Sequence, residues 1–302
     1  MLPEKTVLVP GLGREAGRKN RVREVGMTKD GWPRGPKSWI VDRVLYVSIP
    51  FTWNLPQVFK RLRNADIEFD SAVVGGPAVV LMPDYFKELA YVKTGGGCIG
   101  AMQLVNNRAT KTTTGCPNKC GFCAVPKIEG YFRELEDWPD RPIICDNNLL
   151  AASIGHFDKI IDRLKKHDRP DFNQGLDARL LNIHHSKRLT ELKRPIIRLA
   201  LDNIKWTEDW LSAFGLLRCA GIALRSICSY ALIGFDSDPG EAWARCQWIE
   251  SYGVKAFPQW FHELDAMKAN QVTERQRLLG WNDYERRRIM QWYYQHKKAV
   301  AA

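Results

Sequence analysis

Cys116, Cys120 and Cys123 stand in the run Thr-Thr-Gly-Cys-Pro-Asn-Lys-Cys-Gly-Phe-Cys, a C-x3-C-x2-C spacing. Three thiolates on one tight loop can hold three corners of a 4Fe-4S cluster, which leaves the fourth iron without a protein ligand and open to a substrate or cofactor. The competing chemistry is a structural zinc site. Such a site is closed by four ligands, commonly from two pairs, and no second CxxC pair occurs in this chain. His156, His184 and His185 could complete a zinc set, but nothing in their spacing selects one. A disulfide framework is disfavoured. A chain of 302 residues can build its own core, and the eight cysteines are mostly scattered singly rather than arrayed as in a small secreted scaffold.

The elements that must position this loop follow from the pattern downstream of it. From Thr110 onward, short β-prone runs alternate with amphipathic helical stretches, which predicts βα units and a parallel sheet. Six strands can be marked, at 109–115, 142–145, 171–174, 195–201, 226–233 and 254–260. A helix is expected at 154–166, with Ile154, Phe157, Ile160, Ile161 and Leu164 on one face. Another is expected from an N-cap at Thr207 to a stop at Gly221. A third runs from Asp238-Pro239, an N-cap with proline at the first helical position, to Gly253. Six units are too few for an eight-fold barrel, so the fold class is α/β with a partial (β/α)6 TIM-like barrel. In barrels the chemistry gathers at the C-terminal ends of the strands. Polar residues recur there: the cysteine loop, Asp146 and Asn147, Gln174 with Asp177 and Arg179, Asp202 and Asn203, Asp236, then Gln259 and His262. Each taken singly is equally a turn residue or a cap.

Composition sets the wider frame. Hydrophobic residues make up 45% of the chain and aromatics 11%, which excludes disorder. No signal-type apolar run follows Met1 and no long apolar stretch occurs, so a cytoplasmic location without membrane contact is expected, a reducing setting that suits thiolates. The net charge of +11 is concentrated at the ends. Residues 1–38 hold nine Lys/Arg against four Asp/Glu, and residues 268–302 hold eight against three. Basic ends around a near-neutral body make RNA a candidate partner, although charge runs are also common as plain solvated surface.

Residues 109–262 resemble the core of radical S-adenosylmethionine (radical SAM) enzymes. The matching residues are Cys116, Cys120 and Cys123, the aromatic Phe122, the run Gln174-Gly175-Leu176-Asp177-Ala178-Arg179, and Tyr230-Ala231-Leu232-Ile233-Gly234-Phe235. The resemblance implies a 4Fe-4S cluster whose open iron is chelated by S-adenosylmethionine. It also implies reductive cleavage of that cofactor to a 5′-deoxyadenosyl radical, and hydrogen abstraction from a substrate. It further implies that Phe122 offers its backbone to the adenine and that Ile233 and Gly234 pack against it. Asp146, Asn147, Asp202 and Asn203, at the ends of strands two and four, would hold the methionine and ribose parts, and Gln174 after the third strand would also bind the cofactor. The family often carries Gly-Gly-Glu after the second strand, where this chain has Asp146-Asn147-Asn148. An external electron donor such as flavodoxin or ferredoxin is implied as well. The resemblance names no catalytic side chain and no substrate.

Four domains are expected: a basic segment at 1–38, a small α/β domain at 39–105, the barrel at 106–263 and a helical extension at 264–302. The second, with strands near 44–48 and 72–77 around a helix at 55–62, faintly resembles the cobalamin-binding domain that precedes many radical SAM barrels, without its Asp-x-His-x-x-Gly motif. Gly11-Leu12-Gly13-Arg14-Glu15-Ala16 fits a dinucleotide pattern but is followed by a basic stretch lacking an apolar face. Cys98, after Gly95-Gly96-Gly97, is the further cysteine placed to reach a barrel mouth; the other four outside the cluster run read as core. Near the C-terminus, Trp281, Tyr284, Arg286-Arg287-Arg288, Ile289, Trp292 and Tyr293 fall at helical spacing. Aromatics beside arginines can stack bases, yet the pattern equally describes a helix packing its apolar face, and packing is favoured. Two rivals to the enzyme reading are a nucleic-acid-binding protein with a structural zinc loop and an inactive radical SAM relative.

Overall fold

The computed structural model describes residues 7–9, 31–33, 35–64, 69–95 and 101–299. The chain divides into two units, Met1–Ala109 with Glu263–Ala269, and Thr110–His262 with Asn270–Ala302.

In the first unit, β1 (Val7–Val9), β2 (Lys37–Val41), β3 (Val44–Ser48), β4 (Ser71–Gly75) and β5 (Val92–Thr94) form one sheet in that order. Pairs β1–β2 and β2–β3 are antiparallel, and β3–β4 and β4–β5 are parallel. Asp42 and Arg43 join β2 to β3 with φ of 48° and 62°, as a two-residue hairpin turn of the primed type requires. Helix α1 (Leu55–Arg63) buries Leu55, Val58 and Leu62 along one stripe, and α2 (Pro77–Leu81) adds Ala78 and Val79. With Leu45, Val47, Val74 and Phe86 they make a core of this unit's own. Helix α3 (Ala101–Val105) follows.

The second unit is mixed α/β with parallel pairing. Its strands are β6 (Ala109–Thr110), β7 (Thr113–Thr114), β8 (Arg133–Glu134), β9 (Ile143–Ile144), β10 (Asp171–Phe172), β11 (Ile197–Ala200), β12 (Ile227–Ile233) and β13 (Lys255–Trp260). Two sheets run β10-β9-β6 and β11-β12-β13, with β9–β10, β11–β12 and β12–β13 parallel. Single parallel bridges, Asp171 to Ile196 and Leu176 to Leu199, continue the pattern from one to the other. No closed barrel forms among the described residues.

Helices α4 (Val125–Ile128), α5 (Ile154–Leu164), α6 (Ile183–Leu189), α7 (Thr207–Cys219) and α8 (Pro239–Ser251) alternate with these strands. The alternation on β12 shows which face they cover: Ile227, Ser229, Ala231 and Ile233 are buried, whereas Cys228, Tyr230 and Leu232 are half-buried. Phe157, Ile160 and Leu164 of α5, Trp210 and Leu217 of α7, and Cys246 and Ile249 of α8 fill that core. Trp210 Nε1 donates to Ser229 Oγ at 2.9 Å, so the one hydroxyl on the buried face of β12 is paired. Arg245 of α8, fully buried, donates to the carbonyls of Leu201 and Leu232 at 2.8 Å each and pins the ends of β11 and β12.

Helices α9 (Glu274–Leu278) and α10 (Asp283–Ala299) complete the unit. Trp281, just ahead of α10, and Ile289 within it are buried with Ile233, Trp260 and Val272. Thr273 and Gln276 form a capping box at the start of α9.

Three expectations are corrected in detail. The strand read across 109–115 is broken into β6 and β7, and β7 pairs antiparallel with β8. The strand read at 171–174 spans two residues. Thr207 is the first residue of α7 rather than its cap, because Ile204–Trp206 already form a 3-10 turn capped by the Asn203 side chain. Asp238 caps α8 as expected, accepting from Gly240 and Glu241 N–H at 2.7 and 3.0 Å. The Gly11–Ala16 pattern and Cys98 lie outside the described residues.

Candidate metal centre

The three cysteines follow β7 on one loop, and all are free thiols. The chain enters this loop through Gly115, at φ +71°. A Cβ there would lie 2.3 Å from the Tyr131 carbonyl oxygen, so only glycine fits the turn. Glu129, just after α4, accepts from Gly115 N–H at 2.8 Å and from Asn147 Nδ2 at 2.8 Å, and pairs with Lys111. Burial alone would raise the Glu129 carboxyl; Lys111 and these donors outweigh it and hold the group below its usual range.

Two of the sulfurs have a donor aimed at them, Cys116 Sγ from Asn148 Nδ2 at 3.7 Å and Cys123 Sγ from Val125 N–H at 3.5 Å, while the positive charge of Arg179 acts on Cys120. Burial, followed by the neighbouring thiol Cys116 and by Asp202, pushes the Cys120 thiol up against the pull of Arg179. Cys123 is pushed up by burial first and then by Cys120, Cys116 and Asp202, with the Val125 N–H pulling the other way. The thiols therefore sit close enough to repel one another as thiolates, in surroundings where added positive charge would relieve them.

Asp177 ties the donors together. It accepts from Arg179 Nε and Nη2 at 2.7 Å each, from Asn118 Nδ2 at 2.9 Å and from Asn148 Nδ2 at 3.2 Å. Burial would raise its pKa; Arg179 leads the groups that hold it below the usual carboxylate range. Arg179 also lies over the Trp206 ring, 4.3 Å from its centroid. One carboxylate thus joins the cysteine loop through Asn118, the segment after β9 through Asn148, and the segment after β10 through Arg179.

Among the described residues, no group of three or more His, Cys, Asp and Glu side chains, the three cysteines included, converges closely enough to hold a metal ion as it stands. The histidines are engaged elsewhere: His156 Nε2 with the Thr112 carbonyl at 3.0 Å, His184 Nε2 with Asp158 at 2.8 Å, and His185 against the Phe157 ring. The three thiols have no fourth side chain of the kind that closes a tetrahedral zinc site, and three thiolates on one loop are the ligand set that a 4Fe-4S cluster with one open iron uses. Asn148 Oδ1, buried beside Cys116, has no partner, which leaves one polar atom at the site unsatisfied by the protein itself.

The expected cofactor residues divide. Asp202, at the end of β11, is close enough to the thiols to raise them, accepts from Leu232 N–H at 3.2 Å, and is pushed by burial up to about 6. Phe122 packs edge-on against Phe235 at 5.5 Å, and Phe235 in turn against Phe261 at 4.9 Å. Gln174 is exposed in the turn after β10. Asn147 is spent on Glu129, and Asn203 on Asp236 at 2.7 Å and on Lys205 N–H at 2.9 Å.

The contacts of Asp146, Ile233 and Gly234 are within the protein itself. Asp146 is 2% exposed. Its carboxylate accepts from Thr112 and Thr113 N–H at 2.6 and 3.0 Å, and also from the Thr112 hydroxyl, clamping the break between β6 and β7. Ile233 is fully buried among Trp260, Trp281 and Ile289. Gly234, at φ +81°, admits the Trp260 ring where a Cβ would lie 2.6 Å from it. Of the remaining strand-end residues, His262 Nε2 accepts from Asn270 N–H at 2.9 Å and Gln259 is exposed.

Sequence reading missed Asn118, Glu129 and Asn148 as site residues. Asn148 was visible as the last member of Asp-Asn-Asn; Glu129 carried no signal, since Lys-Ile-Glu-Gly reads as an ordinary helix end. The chain matches no protein-family model and no curated protein.

Proposed function

We propose that this chain is a radical SAM enzyme in which Cys116, Cys120 and Cys123 ligate three irons of a 4Fe-4S cluster and S-adenosylmethionine occupies the fourth. The observation that carries the reading is the set of three free thiols on one loop, two with a hydrogen-bond donor aimed at the sulfur and the third under the positive charge of Arg179. When bound, cluster and cofactor would supply one-electron cleavage of a sulfonium carbon–sulfur bond and, through the fragment released, hydrogen abstraction from a substrate.

The residues of the chain itself do the holding. Asn148, Arg179 and Val125 N–H stabilise negative charge on the sulfurs, which favours the thiolate forms and makes a bound cluster easier to reduce. Asp177 keeps two of those donors in place. Asp202 is the strand-end carboxylate left beside the thiols for the polar part of the cofactor, and Phe122 with Phe235 offers an apolar wall. We read β6 and β9–β13 as the arc of a partial (β/α)6 barrel, with the cysteine loop at its mouth, a small N-terminal α/β unit and a C-terminal helical extension. The reading requires an external one-electron donor such as flavodoxin or ferredoxin and a reducing, cytoplasmic setting. Among the described residues, no helix is long and apolar enough to cross a membrane.

The test is anaerobic purification with iron, sulfide and zinc analysis, followed by incubation with S-adenosylmethionine and dithionite. About four irons per chain and release of 5′-deoxyadenosine are expected, and Cys120→Ala should abolish both. One zinc and no iron would identify a structural zinc loop. Iron without cofactor cleavage would identify an inactive relative.

A further inference from the structure

The aromatic and arginine run near the C-terminus is divided by the fold. Trp281 and Ile289 are buried at 1% and 0% exposure, so the packing role holds for that side of the segment. Tyr284, Arg287, Arg288 and Gln291 follow the i, i+3, i+4, i+7 spacing of a second face of α10. Tyr284 is 69% exposed. Together with Trp292 and with Trp243 of α8, these four residues line a cavity of about 510 Å³.

The chemistry of that lining is specific. The Trp243 and Trp292 rings meet at 5.2 Å, and the Arg288 guanidinium lies 5.0 Å from the centre of the Trp243 ring. Arg288 is also held by Glu285 at 2.9 Å, which fixes its position. Among the described residues Arg287 makes no ion pair. Helix α10 itself carries five Lys/Arg against two Asp/Glu, a balance that favours a polyanion. Flat π faces beside guanidinium groups, on a basic surface, are what a single-stranded nucleic acid requires: bases stack and phosphates are neutralised.

We propose that the groove between α8 and α10 binds single-stranded RNA, with a base stacked on Tyr284 against the indole-lined wall and a phosphate on Arg287 and Arg288. The site needs no cluster, so its failure and the failure of the radical chemistry are separate results.

The probe is a fluorescein-labelled 12-nucleotide single-stranded RNA, titrated with the full chain and followed by anisotropy between 50 and 200 mM salt. Tyr284→Ala should weaken binding by about five-fold or more, the loss expected for one stacked base. Tyr284→Phe should restore it, because stacking needs the ring and not the hydroxyl. Arg287→Gln should weaken binding and flatten the dependence of log K on log salt by about 0.7. Both side chains are exposed, and unchanged circular dichroism and Tm would exclude unfolding as the cause. The proposal is overturned if the wild-type chain leaves the RNA free, or if Tyr284→Ala and Arg287→Gln bind it as well as wild type. It is also overturned if labelled polyglutamate, and not RNA, is the ligand that Tyr284→Ala loses, since the groove would then take an acidic protein segment.

Discussion

Asp177 links the parts of the candidate centre, because one carboxylate accepts from Asn148 and Arg179, which face Cys116 and Cys120, and from Asn118 on the loop that carries the thiols. Among the described residues, the cysteines outside the loop differ from it in environment. Burial pushes Cys145 and Cys246 up to about 12 and Cys228 to about 11, whereas Cys219 is exposed on α7. Iodoacetamide at pH 8 should therefore label Cys219 within minutes and leave Cys145, Cys228 and Cys246 unmodified in the folded chain, as peptide mapping by mass spectrometry can check. Asp202 offers a pH test. Its carboxyl rises from 3.8 to about 6 on folding, so the native state keeps the proton to higher pH than the unfolded chain does. Stability then falls as pH rises from about 4 to 6, and above that the charged group costs about 3 kcal/mol. Asp202→Asn keeps an acceptor for Leu232 N–H and removes the charge. In the metal-free chain it should raise Tm by several degrees at pH 8 and hardly at all at pH 4; an equal shift at both would show that ionisation carries no cost.

Among the elements, the short pair β7–β8 and the loop that follows β7 carry the centre, and β6, β9 and β10 are only two residues long. Strands this short are held by side chains as much as by ladders, as Asp146 holds the β6–β7 break and Glu129 the Gly115 turn; the longer β11 and β12 are pinned at their ends by Arg245. Gly115→Ala places a methyl group on the Tyr131 carbonyl in a left-handed backbone conformation. We expect a loss of ~2–4 kcal/mol in urea unfolding. Iron retention should fall further than stability does, because the distortion is centred on the residue before Cys116. Full iron content in this variant would mean that the loop reaches its geometry without the Gly115 turn.

The described residues form separate apolar cores. The first unit has a main one around Leu45, Val74 and Phe86 and a small one of Trp39 and Val41, and two lie in the second, under its parallel sheets and beneath α10. Phe86 is fully buried, so Phe86→Ala should cost about 3–5 kcal/mol. Calorimetry should show that loss in the transition of the first unit, and iron per chain should stay at the wild-type value, since no thiol or donor of the centre belongs to that unit. A variant that loses iron in proportion to stability would show that the two cores do not melt independently.

Much of this was legible in the residues themselves. Apolar periodicity marked β11, β12, β13, α5, α7 and α8 to within a few residues, because long, regular segments repeat their signal; the cysteine spacing marked the loop. The broken strand at 109–114 was not legible, since Thr-rich runs suit a strand whether or not a distant carboxylate interrupts it. Polar residues at strand ends were also ambiguous one by one. Asp146, Asn147 and Asn203 turned out to satisfy backbone and neighbouring side chains, while Asn118, Asn148, Asp177 and Arg179 met around the thiols. Spacing along the chain specifies which residues can share a loop or a helical face. Which carboxylate meets which amide across 29 or 59 positions depends on how the elements pack, and that was decided only in three dimensions.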